Sequence, residues 1–203
     1  MLISFTGAQS TGKTTLLNEC CQSPAFRKFH CVPEVTRKVA REQHVDINEG
    51  GGDITQLFIL NEHLRNHYIK GPALLDRCIL DGWVYTDYLF DQGKVSLWVR
   101  DYAQQLYRKL LPQLDVIFYT DPEDIPIEDD GQRSTDKNFR SDIIRGFEYE
   151  IASRPWGILA EIPIDTVKGL ISNPVIVRLE GDVVTRMKTI LKTIKKYDNS
   201  SIR

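Results

Sequence analysis

Eight residues near the amino end, Gly7-Ala8-Gln9-Ser10-Thr11-Gly12-Lys13-Thr14, satisfy the spacing G-x-x-x-x-G-K-[ST]. A random chain of this length would match about once in a hundred cases or fewer. Two glycines let the backbone curl so that successive N–H groups face one anion, and the helix start that follows adds its own amides. Gly7 through Thr15 is therefore the candidate nucleotide-binding stretch. Lys13 would reach the β- and γ-phosphates as a point charge, and the Thr14 hydroxyl would ligate magnesium. Asp76, at the end of a short apolar run, is the second candidate magnesium ligand, against the plainer reading of a strand-end cap. These residue types imply a site for ATP with Mg2+.

The fate of the γ-phosphate is written elsewhere in the chain. A guanine-nucleotide switch needs an N/T-K-x-D element, and Thr135-Asp136-Lys137-Asn138 has the wrong order; an LSGGQ-like transporter signature is absent. Phosphoryl transfer is mostly positioning and charge neutralisation, so a kinase needs cations on the acceptor side. Val32-Pro33-Glu34-Val35-Thr36-Arg37 supplies Arg37 and Glu34, which could accept or orient the acceptor proton, a role equally open to Asp76; a charge complementing a helix start is the plainer reading of Glu34. Asp76-Arg77 is followed by Asp81, Trp83, Tyr85 and Tyr88. Arg77 could take a substrate anion and the aromatics could stack on a base, although core packing explains such aromatics equally well. Gln56 is a candidate reader of a base or amide edge. Arg133 and Arg140 follow an acidic run, where a lid would carry arginines onto the γ-phosphate; a solvated, salt-bridged helix is the alternative. His63 and His67 stand four apart, but without a third ligand they make a poor zinc site.

The elements that must hold these groups alternate. Leu2 to Thr6 reads as a strand, the loop follows, and Lys13 to Cys21 reads as a helix. Phe29 to Glu34 precedes a helical stretch through Glu42, and Gly50-Gly51-Gly52 marks a flexible connection. Asp53 caps a helix with Leu57, Leu60, Leu64 and Tyr68 on its apolar face. Ala73 to Asp76, Leu114 to Thr120 and Pro174 to Leu179 read as strands; helices begin at Ser96 and at Asp182, the latter with Val183, Met187, Ile190, Leu191 and Ile194 inward. Short apolar strands alternating with helices mean a parallel sheet covered on both faces, an α/β domain. Residues 121 to 145 form a lid-like excursion, acidic first and basic after.

At 203 residues the chain has the size of one domain, 1–203, and its 41% apolar and 27% charged content excludes fibrous or disordered classes. The 26 basic and 28 acidic side chains leave a formal charge of −2, so no global basic field draws in nucleic acid or an anionic membrane. Cys20, Cys21, Cys31 and Cys78 show neither a CxxC pair nor a disulfide framework, the amino end lacks the pattern of a signal peptide, and no apolar stretch spans a membrane. These observations point to a cytoplasmic protein in a reducing compartment; they are silent on oligomeric state.

The stretches GAQSTGKTT, PEVTR, LLDRCILD, and LDVIFYTD with EDDGQRS, together with the last strand and helix, resemble the P-loop kinases typified by the ribosylnicotinamide kinase domain of the bacterial NAD-biosynthesis regulator. They cover roughly two thirds of the chain in the right order. Asp76-Arg77 through Tyr85 is also similar to the DR-x-x-x-S-x-x-A-Y string of thymidylate kinases, with Asp81 where the serine would lie. The resemblance implies a P-loop NTPase fold, a five-stranded parallel sheet of order 2-3-1-4-5 with helices on both faces and a lid. It also implies ATP, magnesium and transfer to a hydroxyl of a nucleoside or nucleotide. Within these 203 residues the resemblance does not extend to an adenylyltransferase domain, and residues 154 to 174 look like an extra segment. Related phage kinases modify 5-hydroxymethyluridine within DNA, which makes a modified base in DNA the alternative acceptor; a regulatory NTPase switch is the alternative of another class.

Overall fold

The computed structural model describes residues 1–120, 122, 137–153 and 174–200. Five strands, β1 (Leu2–Thr6), β2 (His30–Val32), β3 (Ala73–Asp76), β4 (Val116–Thr120) and β5 (Val175–Leu179), form one parallel sheet of order β2-β3-β1-β4-β5. Among the described residues seven helices flank them: α1 (Lys13–Gln22), α2 (Val35–Gln43), α3 (Asp53–His67), α4 (Ile79–Asp91), α5 (Leu97–Leu110), α6 (Lys137–Ala152) and α7 (Val183–Ser200).

Alternation along each strand divides the core. Ile3, Phe5, Leu74, Val116 and Phe118 pack in one cluster with Leu16, Leu17, Ile190 and Ile194 from α1 and α7. Ala73, Leu75, Ile117 and Tyr119 pack on the opposite face with residues of α4, α5 and α6. Because side chains alternate with period two, this division also aims the polar residues at the strand ends. Asp76 has the parity of Leu74 and faces α1, while Thr6 has the opposite parity to Phe5 and faces α4. The parallel register Phe5↔Asp76 sets Asp76 beside the start of the loop after β1.

Several expectations change. The α4 stretch is apolar on nearly all sides, so it gives no amphipathic stripe; such a helix belongs in the interior, and Ile79 through Val84 are all buried. Helix α3 is capped by Gly52 rather than Asp53, whose carboxylate accepts instead from the Ser96 N–H at 2.7 Å. The buried face of α3 is Thr55, Gln56, Ile59, Leu60, His63 and His67, and Tyr68 lies 64% exposed. Polar side chains turn inward there because that face borders a pocket. The glycine connection is a short 3-10 turn, Asn48–Gly50, with Gly51 packed against Gln56 and Leu89. Part of the acidic-to-basic excursion lies outside the described residues, but from Lys137 it is helix α6, anchored by buried Phe139, Ile143, Phe147 and Ile151.

The cysteine reading also changes. Cys21 and Cys31 are joined by a disulfide, because the end of α1 and edge strand β2 bring their Cα atoms to 6.3 Å, within bridging range. Cys20 and Cys78 are buried free thiols, and burial pushes each up to about 12. Among the described residues no helix is long and apolar enough to cross a membrane.

Candidate active site

The loop from Gly7 to Gly12 carries left-handed backbone at Gly7, Ser10 and Gly12, the kind of geometry that makes an anion-binding concavity. Only glycine fits at position 7: its φ is +134°, and a Cβ would stand 2.8 Å from Thr120 Oγ1 and 3.0 Å from the Thr120 carbonyl. Thr120 stitches the loop to the sheet. Its hydroxyl bonds to the Thr6 carbonyl at 3.0 Å and to Thr11 Oγ1 at 2.6 Å, and Thr11 Oγ1 also donates to the Ala8 carbonyl at 3.0 Å. Helix α1 starts at Gly12 with no side-chain cap, so its first amides are available to an anion. Lys13 is buried, donating to the Ala8 carbonyl and to Thr11 Oγ1. Burial, with Arg77 nearby, lowers its ammonium to about 7. Thr14 and Thr15 follow on the exposed first turn of α1.

Thr14 Oγ1 donates to Asp76 Oδ2 at 2.6 Å, and Asp76 Oδ1 is buried with no hydrogen-bond partner among the described residues. Two oxygen donors at the mouth of a phosphate loop, one carrying an unsatisfied carboxylate oxygen, fit a hard divalent cation such as Mg2+. Burial and the nearby Glu34 charge raise the Asp76 carboxyl above its ordinary value.

Opposite the loop, one arginine organises the other wall. Arg77 has φ +75° at the turn from β3 into α4. Its Nε donates to Glu34 Oε1 at 2.8 Å, and its Nη1 donates to Asp81 Oδ1 at 2.8 Å and to the Gly7 carbonyl at 3.2 Å. Asp81 is fully engaged within the fold: Oδ2 accepts from Thr6 Oγ1 at 2.6 Å and from the Cys78 N–H at 3.0 Å, closing a capping box on α4. Glu34 Oε2 accepts from Arg37 at 3.0 Å. Burial alone would raise Glu34, but Arg77, Lys13 and Arg37 outweigh it and hold the carboxyl below its usual value.

Between α2, α3 and α4 lies a narrow cleft, with a cavity volume of about 20 Å3, whose lining includes Glu34, Gln56, His63, Arg77, Asp81 and Tyr85. The Gln56 amide oxygen contacts the Thr86 hydroxyl at 3.0 Å, and Tyr85 donates to Gln9 at 3.3 Å, tying this wall to the loop. Tyr85 also lies under the Arg77 guanidinium, 5.5 Å from ring centre to Cζ. Burial lowers His63 and His67 to about 3, so both imidazoles are neutral near pH 7. Among the described residues no cluster of three or more His, Cys, Asp or Glu side chains is placed to hold a metal.

The structure thus gathers Lys13, Thr14, Glu34, Arg37, Gln56, Asp76, Arg77, Asp81 and Tyr85 around the loop and pocket. Trp83 is not brought there. One residue after Gly82, it stacks on Tyr107 at 5.8 Å and donates to Glu150 at 2.8 Å, because its position on α4 faces α5 and α6. Arg140, on the first turn of α6, donates to the Pro122 carbonyl at 3.0 Å; Arg133 lies outside the described residues. Two residues that build the site escaped the sequence reading. Thr120 looked like an ordinary strand end, and Arg186 is a charged residue at an inward position of α7, one turn before Ile190. A basic residue in the apolar stripe of an amphipathic helix was the available signal.

Similarity to known proteins agrees with this architecture. No curated protein matches the chain by sequence. Among solved structures, deoxyadenosine kinase from M. mycoides with dCMP and dCDP superposes with a TM-score of 0.63 at 12% identity, over 97% of this chain and 100% of that one. NadR protein in complex with NR superposes with a TM-score of 0.63 at 18% identity, and this chain spans about half of it, 51%. At such identities the likeness establishes the fold, a five-stranded P-loop sheet with its helices. A family model described as AAA domain matches residues 2–151, most of the chain, and the chain belongs to that P-loop family.

Proposed function

We propose that this chain is an ATP- and magnesium-dependent kinase that transfers the γ-phosphoryl group to a hydroxyl of a nucleoside or nucleotide. The observation that carries the reading is the placement of the Glu34–Arg77–Asp81 network between the phosphate loop and an adjoining pocket: Arg77 touches the Gly7 carbonyl with the same Nη1 that binds Asp81. A nucleotide hydrolase or switch has no need of a second pocket at that point; a transferase does. The solved neighbours of this fold include a deoxyadenosine kinase and a protein bound to NR, and both lend support to an acceptor of nucleoside type.

Each residue then has a task. The loop amides and Lys13 hold the β- and γ-phosphates, and Thr14 with Asp76 would hold Mg2+, which when bound neutralises charge across those oxygens. Arg77 fixes the Glu34 carboxylate at the pocket wall, and Asp81 fixes Arg77. Glu34 orients the acceptor hydroxyl as its oxygen bonds to the γ-phosphorus, the bond from that phosphorus to the β–γ bridging oxygen breaks, and the acceptor proton passes to the carboxylate. A carboxylate held low by arginines is a weak base, which suits a loose transition state with little bonding to the nucleophile. Gln56 reads an edge of the acceptor base, Tyr85 and Arg37 border it, and Arg140, with Arg133, would meet the transferring group from the lid side.

The test is transfer of label from γ-labelled ATP to a panel of free nucleosides, nucleotides and hydroxymethylated duplex DNA. Label on a small acceptor is expected. Label appearing only as inorganic phosphate would replace this reading with the regulatory switch, and transfer confined to DNA, with a steep loss in salt, would move the acceptor to a modified base.

A further inference from the structure

Arg186 is the largest fully buried side chain in the described part of the molecule, 1% exposed, and it comes from α7, beyond the residues matched by the family model. Its Nε donates to the Gly181 carbonyl at 2.8 Å, at the turn that leads from β5 into α7. Its Nη1 donates to the Thr11 carbonyl at 2.7 Å, across 175 residues of sequence, inside the phosphate loop. A guanidinium is rigid and planar, so one side chain bridging two carbonyls fixes the distance between the segments that carry them.

The consequence for the loop follows from peptide geometry. A trans peptide holds its C=O and N–H antiparallel, so a carbonyl pinned on one side commands the direction of the next residue's N–H. Three loop carbonyls are pinned this way: Gly7 by Arg77 at 3.2 Å, Ala8 by Thr11 Oγ1 at 3.0 Å, and Thr11 by Arg186 at 2.7 Å. The N–H groups of Ala8, Gln9 and Gly12 are set in consequence. Gly12 is the residue where the left-handed loop turns into α1, and the first helical bond, from the Leu16 N–H, already occupies its own carbonyl at 3.0 Å.

We infer that Arg186 is a positioning residue for nucleotide binding: by holding the Thr11 carbonyl it pre-sets the Gly12 amide for a polyphosphate, making the final helix a working part of the phosphate site. The inference rests on the nucleotide-binding half of the proposed function and not on the acceptor. Calorimetric titration of Arg186→Gln and Arg186→Lys with Mg-ATP, Mg-ADP and adenosine tests it. Loss of a hydrogen bond from a charged donor predicts ATP and ADP affinities at least about tenfold weaker in Arg186→Gln, with adenosine unchanged and partial recovery in Arg186→Lys. In turnover, KM for ATP rises while KM for the acceptor stays put. Arg186→Lys keeps the proposal testable if the glutamine variant does not fold, since lysine retains one donor and the charge. Unchanged ATP affinity in a folded variant overturns the inference, as does an equal loss for adenosine and ATP, which would mark a general structural role. A wild-type protein that binds ATP and phosphorylates nothing would overturn the kinase reading and leave this one standing.

Discussion

The two walls of the site are built from different materials. On the side proposed for the phosphates the groups offered are main-chain amides with Lys13 and Thr14 beside them, and side chains from four places, Thr11, Arg77, Thr120 and Arg186, grip the loop from behind. On the pocket side, where the acceptor is proposed to sit, the groups are side chains, and they hold one another: Glu34 with Arg77 and Arg37, Arg77 with Asp81, Asp81 with Thr6 and the Cys78 amide. A wall of amides can only offer positive dipole to an anion. A wall of paired side chains can be exchanged residue by residue, so substrate choice can change there without disturbing phosphate binding. Arg77 is the point at which the walls meet.

This division can be broken by substitution. Lys13→Ala removes the buried cation of the loop and should depress transfer roughly a thousandfold while leaving the neighbouring pocket intact, which equilibrium binding of the acceptor checks. Glu34→Gln acts on the other wall: the turnover rate should fall about a hundredfold with ATP affinity unchanged. If Glu34→Gln weakened ATP as strongly as it slowed turnover, the walls would not be separable and the comparison would fail.

Smaller effects sharpen the picture of the acceptor wall. His63 and His67 are buried neutral on α3, with Arg77 and Glu62 acting on His63 and His63 acting on His67. Below pH 6.5 the unfolded chain takes up protons that the folded imidazoles refuse until about pH 3, so stability falls as pH drops through that window. Denaturant midpoints measured between pH 6.5 and 5, where exposed carboxylates remain ionised, should decline in the wild type and about half as steeply in His67→Gln, which keeps His63; a flat wild-type profile would contradict the burial. The Cys21–Cys31 bridge ties α1, behind the phosphate loop, to β2, which leads into Glu34. Closing so short a loop constrains the unfolded chain, and Cys31→Ser should cost about 3 kcal/mol in denaturant unfolding with little change in KM for ATP.

Legibility in sequence divides along the same line. The phosphate loop is contiguous, so its spacing alone announces it, and Asp76 could be named because a charged residue ending a buried strand has few other reasons to be there. The pocket wall proposed for the acceptor is assembled from positions 34, 56, 77 and 81. Its residues could be nominated, but nothing in their spacing revealed that Arg77 would spend itself on two carboxylates and a loop carbonyl. Trp83 shows the limit most directly. It lies between Asp81 and Tyr85 in sequence, yet the 100° step of a helix turns it onto the opposite side of α4. The largely apolar first turns of α4 concealed that helix, because periodicity reports a buried element poorly.

By itself the sequence determined a parallel α/β sheet and a polyphosphate cradle, since strand-length apolar runs and a glycine-spaced loop are local properties written in consecutive residues. Only the tertiary structure decided which side chains stand behind that cradle and which face the neighbouring pocket. Arg186 and Thr11 are separated by 175 residues and meet through one 2.7 Å hydrogen bond. Contacts of that kind depend on the packing of α7 against the sheet and on strand register, and neither is a property of any short stretch of chain.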